Sequence, residues 1–519
     1  MFSRFYRPVI LDASLKDWRG DLQAALTVAI VALPLSMAIA IASGVGPDRG
    51  LITAVIGGFL VSALGGSRHQ IGGPAGAFIV LIASCVAVIG VEGLILATIM
   101  SGVMLALLGV LKIGGYIRYI PYPVTVGFTA GIGLIILASQ FKDLFGLRLQ
   151  GAEPAPLLEK IPVLWAARDT AALAPFALAL GTIGLIVAIQ RYAPKLPSLL
   201  IAVVLATLAG LALPVETVAQ RFGALPAGLP APMLPEITIE AMRAALPFAV
   251  AFTLLGAIES LLSAVVADQM AGTRMRPDDE LIGQGIANIG SGLFGGFSVT
   301  GTIARTATNV KAGSAGPVSG MLHAGILLLF LIVAAPLAGA IPLAALAGLL
   351  AIVAWNMMDL RAVRALLRAS RGDAMVLIVT FAVVVLRDLT EGIILGFALG
   401  GAVFIARMAR LSGAGPARAA PELPDDVRMI HLRGPLFFGA VVQIESVLDR
   451  IRERPRVLIL DMREVPMVDS SGARMISDMT ARMAQSGTSV AALGASPVVR
   501  AALRGSGLRF VHDAARTFL

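Results

Sequence analysis

The stretch FGGFSVTGTIARTATN, residues 294–309, places a permanent cation inside apolar sequence. Glycines and β-prone residues come first, a helix-like pattern follows, and Arg305 stands about one turn into it. A helix N-terminus carries about half a positive charge together with free N–H groups. An arginine beside one therefore makes an arrangement that attracts anions. Arg305 could instead be a packing residue bonded to backbone carbonyls, or lie near a membrane surface and snorkel. The second ionisable group in apolar surroundings is Glu259, between LLGAI and SLLSAV. An isolated carboxylate there is costly. It needs a bound cation, a pairing with Arg305, or a proton of its own. The first and last make it a coupling site, with a cation or H+ as the coupled ion and Thr300 as a neighbouring ligand.

A second break of the same kind precedes the first in the chain. SRHQIGGPAGAF (67–78) leads into a short apolar run as GGFSVTGTIA (295–304) does, with Gly73 and Thr300 separated by 227 residues. Pro34 in the first apolar segment and Glu259 stand 225 apart, and Pro121 and Pro342 stand 221 apart. An offset of this length holds about seven spans. An odd number reverses the second copy in the membrane, the inverted-repeat plan in which paired broken helices form a midplane site. Small-residue, proline-containing segments are also common in membrane helices without any repeat. QIGG (70–73) and FSVT (297–300) read as short extended pieces, each followed by a half-helix. The first half-helix starts at Pro74, a favoured first-turn proline, and the second near Thr302. Their opposed N-termini give the candidate binding residues: Gly73, Pro74, Ala75 and Gly76 on one side, Thr300, Gly301, Thr302, Ala304 and Arg305 on the other. Ser36, Ser298, Thr300 and Thr302 supply hydroxyl donors.

The bulk of the chain supports a membrane setting for these elements. Of 519 residues, 57% are hydrophobic and 14% charged, and the mean hydropathy is +0.87. This is the composition of a polytopic α-helical membrane protein. Residues 21–412 have room for about 14 spans. Residues 1–20 read as an interfacial segment on the cytoplasmic side, without a cleavable signal. The net charge of +9 is not spread as in a nucleic-acid binder. Lys and Arg gather in alternate loops, as at Arg274 and Arg276 or Arg361, Arg364, Arg368 and Arg371. That pattern puts both termini in the cytoplasm. The single cysteine, Cys85, reads as a buried inert thiol.

From about residue 424 to 519 the sequence is that of a soluble α/β domain. MIHLRGPLFFGAV (429–441), RVLILDM (456–462) and TSVAALGA (488–495) read as strands, and VPMVDSSGARMISDMTARMA (465–484) as a helix and its entry. No nucleophile–base pair, phosphate loop or metal-ligand cluster stands out. The four histidines (His69, His323, His431, His512) are scattered. An enzyme is the reading least supported.

The motif GIANIGSGLFGGFSVTGTIARTATNVKAGS (285–314) resembles the signature of the sulfate permease (SulP) anion transporters, bacterial relatives of solute carrier family 26. VALPLSMAIAIASGVGP (31–47), SRHQIGGPAGAF (67–78) and PYPVTVGFTAGIG (121–133) are similar to its other blocks. The resemblance implies a 7+7 inverted repeat divided into core and gate domains, a homodimer, and no cofactor beyond a coupling ion. AIESLLSAVVADQMAGTRMRPDDELIGQGIANI is similar to a bacterial branch that includes cation-coupled bicarbonate carriers. There a carboxylate at the Glu259 position helps bind sodium; here it is Glu rather than Asp. The family usually has an aromatic residue where this chain has Ile39. The C-terminal part resembles the STAS domain; in the antagonist proteins of that type a serine of D-S-(S/T)-G at a helix start is phosphorylated, and the matching segment here is Asp469-Ser470-Ser471-Gly472. Ser470 and Ser471 at a helix start suit either phosphate or an N-cap.

The expected activity is secondary active transport of a small anion of the bicarbonate, sulfate or dicarboxylate class, coupled to H+ or Na+. An uncoupled channel or exchanger, a nucleobase carrier, and a membrane-bound signalling protein working through a cytosolic partner of the STAS domain are the alternatives.

Overall fold

A computed structural model describes residues 6–12, 17–117, 121–151, 153–154, 157–194, 196–387, 389–416, 424, 426–438 and 455–511. The chain divides into two compact units, Met1–Phe397 and Ala398–Leu519. Among the described residues, nine helices are long and apolar enough to cross a membrane. Shorter apolar helices, such as Ser198–Gly210, stand between them.

The helices of the first unit sort into two bundles, each drawn from both halves of the sequence. In one, Ile79–Val110 packs on Ile239–Ala271 and Pro277–Leu293, while Trp18–Ala42 packs on Val318–Gly339. In the other, Tyr122–Phe145 packs on Leu343–Met357 and Arg371–Leu386, and Leu343–Met357 packs on Leu173–Tyr192. This interleaving matches the expected repeat, because each half contributes to both bundles. Small residues let the backbones approach where lipid gives no hydrophobic drive. A Cβ at Gly102 would stand 2.6 Å from the Gly285 carbonyl oxygen, and one at Gly285 would stand 2.5 Å from that of Gly102.

Within residues 1–20, the described part holds the four-residue 3-10 turn Val9–Asp12 and the start of the helix Trp18–Ala42. Val9 is buried and its N–H donates to the Gly65 carbonyl at 3.0 Å. Residues 1–5 and 13–16, with Lys16, lie outside the described residues.

The second unit contains a five-stranded sheet in the order β3 (Gly413–Pro416), β4 (Val427–Arg433), β5 (Val457–Glu464), β6 (Ser489–Leu493) and β7 (Arg509–Val511). β3 pairs antiparallel with β4, and the other neighbours pair parallel. The helix Ser470–Gln485 covers one face through Met475, Ile476 and Met479, which pack with Leu458, Leu460 and Met462 of β5. The sheet thus begins before residue 424, because the backbone of the GAGP segment pairs with β4 although its residues carry no β signal. The tail of the expected 429–441 strand, from residue 439, and His512 lie outside the described residues.

Candidate functional site

The two broken segments meet in the middle of the first bundle. Gly72–Gly73 (β1) and Thr300–Gly301 (β2) form an antiparallel pair, with Gly72 opposite Gly301 and Gly73 opposite Thr300. All four residues are buried. Antiparallel pairing sends the helices that follow in opposite directions. Backbone at this depth must find partners within the protein, and side chains from neighbouring helices supply them. Asn288 Oδ1 accepts from the Val299 N–H and the Ser298 hydroxyl, both at 3.0 Å, and its Nδ2 donates to the Val299 carbonyl at 2.9 Å. The Ile71 N–H donates to Thr306 Oγ1 at 3.1 Å, and the Ile71 carbonyl accepts from the Thr302 N–H at 3.0 Å and its hydroxyl at 3.3 Å.

The second half-helix, Ile303–Lys311, starts after Thr302 as expected. The first starts later than Pro74. Ala75 stays extended, a 3-10 turn covers Gly76–Phe78, and the α-helix begins at Ile79. The reason is a long-range contact: the Pro74 carbonyl turns to accept from Arg305 Nη2 at 3.3 Å, so the chain stays open past the proline.

Arg305 is 2% exposed. Its Nη2 also donates to the Ser36 hydroxyl at 3.1 Å, and that hydroxyl donates to the Ala32 carbonyl at 2.7 Å. Among the described residues, Nε and Nη1 have no hydrogen-bond partner and no carboxylate pairs with this charge. Nη1 lies against Gly73, where a Cβ would stand 2.3 Å away. Glycine at 73 is therefore what lets the guanidinium reach the strand crossing. Ser36, Gly73, Pro74 and Arg305 come together. Ala75, Thr300, Gly301 and Thr302 are buried around the crossing, Gly76 is half-buried, and Ala304 is turned outward and exposed. Ser298, read as a donor, is occupied by Asn288.

Glu259 does not pair with Arg305. It is half-buried, and its Oε2 is enclosed without a hydrogen-bond partner. Thr300 Oγ1 donates to the carbonyl of Gly256 at 3.2 Å, one turn before Glu259 on the same helix. Beside it stands a carboxylate that sequence reading passed over. Glu280 is fully buried and accepts from the Gly66 N–H at 2.8 Å, the Ser67 N–H at 3.0 Å, Gln70 Nε2 at 2.8 Å and Ser260 Oγ at 3.0 Å. Gln70 in turn packs under Gly301. Glu280 thus ties the lead into β1 to the Glu259 helix and supports β2. Its place in the charged run RPDDE (276–280) suggested a surface loop, which hid it. His323 was also passed over; it is fully buried, with neither ring nitrogen hydrogen-bonded.

In the second unit, Asp469 rather than a serine caps the helix, its Oδ1 accepting from the Gly472 N–H at 2.8 Å. Ser470 and Ser471 are exposed at the first turn. Among the described residues, no group of three or more His, Cys, Asp or Glu is placed to hold a metal.

Comparison with known proteins places this geometry. Residues 18–380 match the sulfate permease family and residues 418–518 the STAS domain. YvdB of Bacillus subtilis (strain 168), whose name is that of a candidate sulfate transporter, is 39% identical over 91% of this chain and 90% of its own length. The bicarbonate transporter BicA of Picosynechococcus sp. (strain PCC 7002) is 31% identical over 87% of this chain and 84% of its own. The solved transmembrane domain of a cyanobacterial BicA superposes with a TM-score of 0.66 at 32% identity, covering 73% of this chain and 98% of that one. The structure of SLC26A9 superposes with a TM-score of 0.83 at 18% identity, covering 96% of this chain and 87% of that one, which shows a shared fold. A family match over residues 18–380 and relatives 39% and 31% identical over most of the chain agree: the chain belongs to the sulfate permease family of anion transporters.

Proposed function

We propose that this protein is a secondary active transporter of a small oxyanion, held where β1 and β2 cross and driven by a cation bound at Glu259. The observation that carries the reading is Arg305, a buried cation with two unpartnered nitrogens and no carboxylate partner, placed beside the starts of two half-helices. An anion at the crossing would be met by N–H groups of both helix starts and by the arginine charge. The site reads charge before shape, which suits the bicarbonate and sulfate named for the relatives and also a dicarboxylate. Glu259, with one oxygen enclosed and unpartnered, is the group that would take up Na+ or H+ as the anion binds. The bundle holding the crossing acts as the moving core, and the Tyr122–Phe145 bundle as the gate. Reading the shorter helices and both parts of Ile79–Val110, which Gly90 interrupts, as membrane passes gives about 14 spans. Both termini then lie in the cytoplasm of a bacterial cell, with the protein a homodimer. Ser470 and Ser471 are the sites where phosphorylation, or a cytosolic partner, would act on the STAS domain.

The test is uptake of labelled bicarbonate, sulfate and fumarate into proteoliposomes, with proton and sodium gradients imposed separately. Uptake of one anion accelerated by one gradient supports the reading. Large currents indifferent to both gradients would make the protein a channel.

A further inference from the structure

The helix Leu360–Ala369 (LRAVRALLRA) lies between Leu343–Met357 and Arg371–Leu386 and is fixed sharply at both ends. Asp359 caps its start, accepting from the Ala362 N–H at 3.1 Å, and Ser370 caps the next helix, accepting from the Asp373 N–H at 3.1 Å. Leu366 anchors it, buried against Val126 and Leu377. The outward side is unlike this inner one. Arg361, Arg364 and Arg368 share a stripe, being three, four and seven residues apart, and Arg371 follows at the turn. All four are exposed, and among the described residues no carboxylate lies within ion-pair distance of them. Leu360 (38% exposed) and Leu367 (45% exposed) flank the stripe, and Trp355 stands exposed on the preceding helix.

A short helix with an arginine stripe, bare leucines beside it and a nearby exposed tryptophan has the build of an interfacial anchor. We propose that the Leu360–Ala369 helix binds anionic phospholipid headgroups of the leaflet on which it lies, through Arg361, Arg364, Arg368 and Arg371. The positive stripe is complementary to the negative headgroups. The leucine flanks sit at the depth of the first acyl carbons, and each arginine near a charged leaflet adds about fivefold to the preference for anionic lipid. This surface is independent of the strand crossing, so its failure would leave the transport reading untouched.

Trp355 provides the reporter. The full chain carrying Trp18→Phe and Trp165→Phe is reconstituted with phosphatidylcholine and a minor share of brominated phosphatidylglycerol, or with the same share of brominated phosphatidylcholine. Phosphatidylglycerol should quench Trp355 at least about fivefold more effectively per molecule. The preference should vanish at 1 M salt, where the screening length falls to about 3 Å. It should be lost in R361Q/R364Q/R368Q/R371Q and kept when the same four become lysine. Equal quenching by the two lipids, or a preference that survives salt or the glutamine changes, would overturn the proposal. So would loss of self-association in the glutamine variant with quenching unchanged, since the stripe would then bind an acidic protein surface. Should the glutamine variant fail to fold, the salt and lysine arms decide.

Discussion

At the scale of single residues, the site depends on one close approach and one unpaired charge. Gly73 gives way to Arg305 Nη1, where a Cβ would stand 2.3 Å away. Gly73→Ala should therefore push the guanidinium from the crossing and raise the KM for the transported anion about tenfold or more, an effect of about 1.4 kcal/mol, while the protein still inserts and folds. Concentration-dependent uptake checks it. A different residue contributes to the acid stability of the second unit. Burial raises the Asp461 carboxyl, but bonds from Arg463 and His431 outweigh it and hold the group below its ordinary value of 3.8. A depressed carboxyl stabilises the fold above the unfolded value and loses that contribution as pH falls through the folded one. The sheet should therefore weaken below about pH 4. Asp461→Asn should flatten that dependence while lowering stability at neutral pH by about 1–3 kcal/mol. Unfolding of the full chain at a series of pH values reads both effects.

At the scale of elements, the crossing is stable because neighbouring helices satisfy its backbone. Asn288 meets both the N–H and the carbonyl of Val299, and Gln284 Nε2 also donates to that carbonyl. Asn288→Ala would leave buried groups unpaired and should cost about 1–3 kcal/mol, read as a lower unfolding midpoint in detergent. Much of this architecture was legible. The glycines and β-prone residues at 70–73 and 297–300 announced extended pieces, and the spacing of the two breaks announced the repeat. Pro74 misled because a first-turn proline is a good local signal, whereas the bond from Arg305 that keeps the chain open crosses 231 residues. Glu280, Gln70 and Asn288 were invisible for the same reason: their partners lie on other elements. β3 was missed because a GAGP segment shows nothing until β4 pairs with it.

At the scale of the molecule, the first unit holds the residues that the proposed transport needs, and in that proposal the STAS domain would add regulation. Deleting residues 424–519 should leave anion binding within about threefold of the full chain, under 1 kcal/mol. Loss of all activity with an intact membrane unit would favour a signalling role. The central claim is that the anion is held by Arg305 at the crossing of β1 and β2. Its most direct test is calorimetric binding of the transported anion to purified wild-type and Arg305→Gln protein with matched unfolding midpoints. A charged hydrogen bond is worth about 1.5–3 kcal/mol, so the variant should bind roughly ten- to a hundredfold more weakly. Equal affinity in the two proteins would contradict the account.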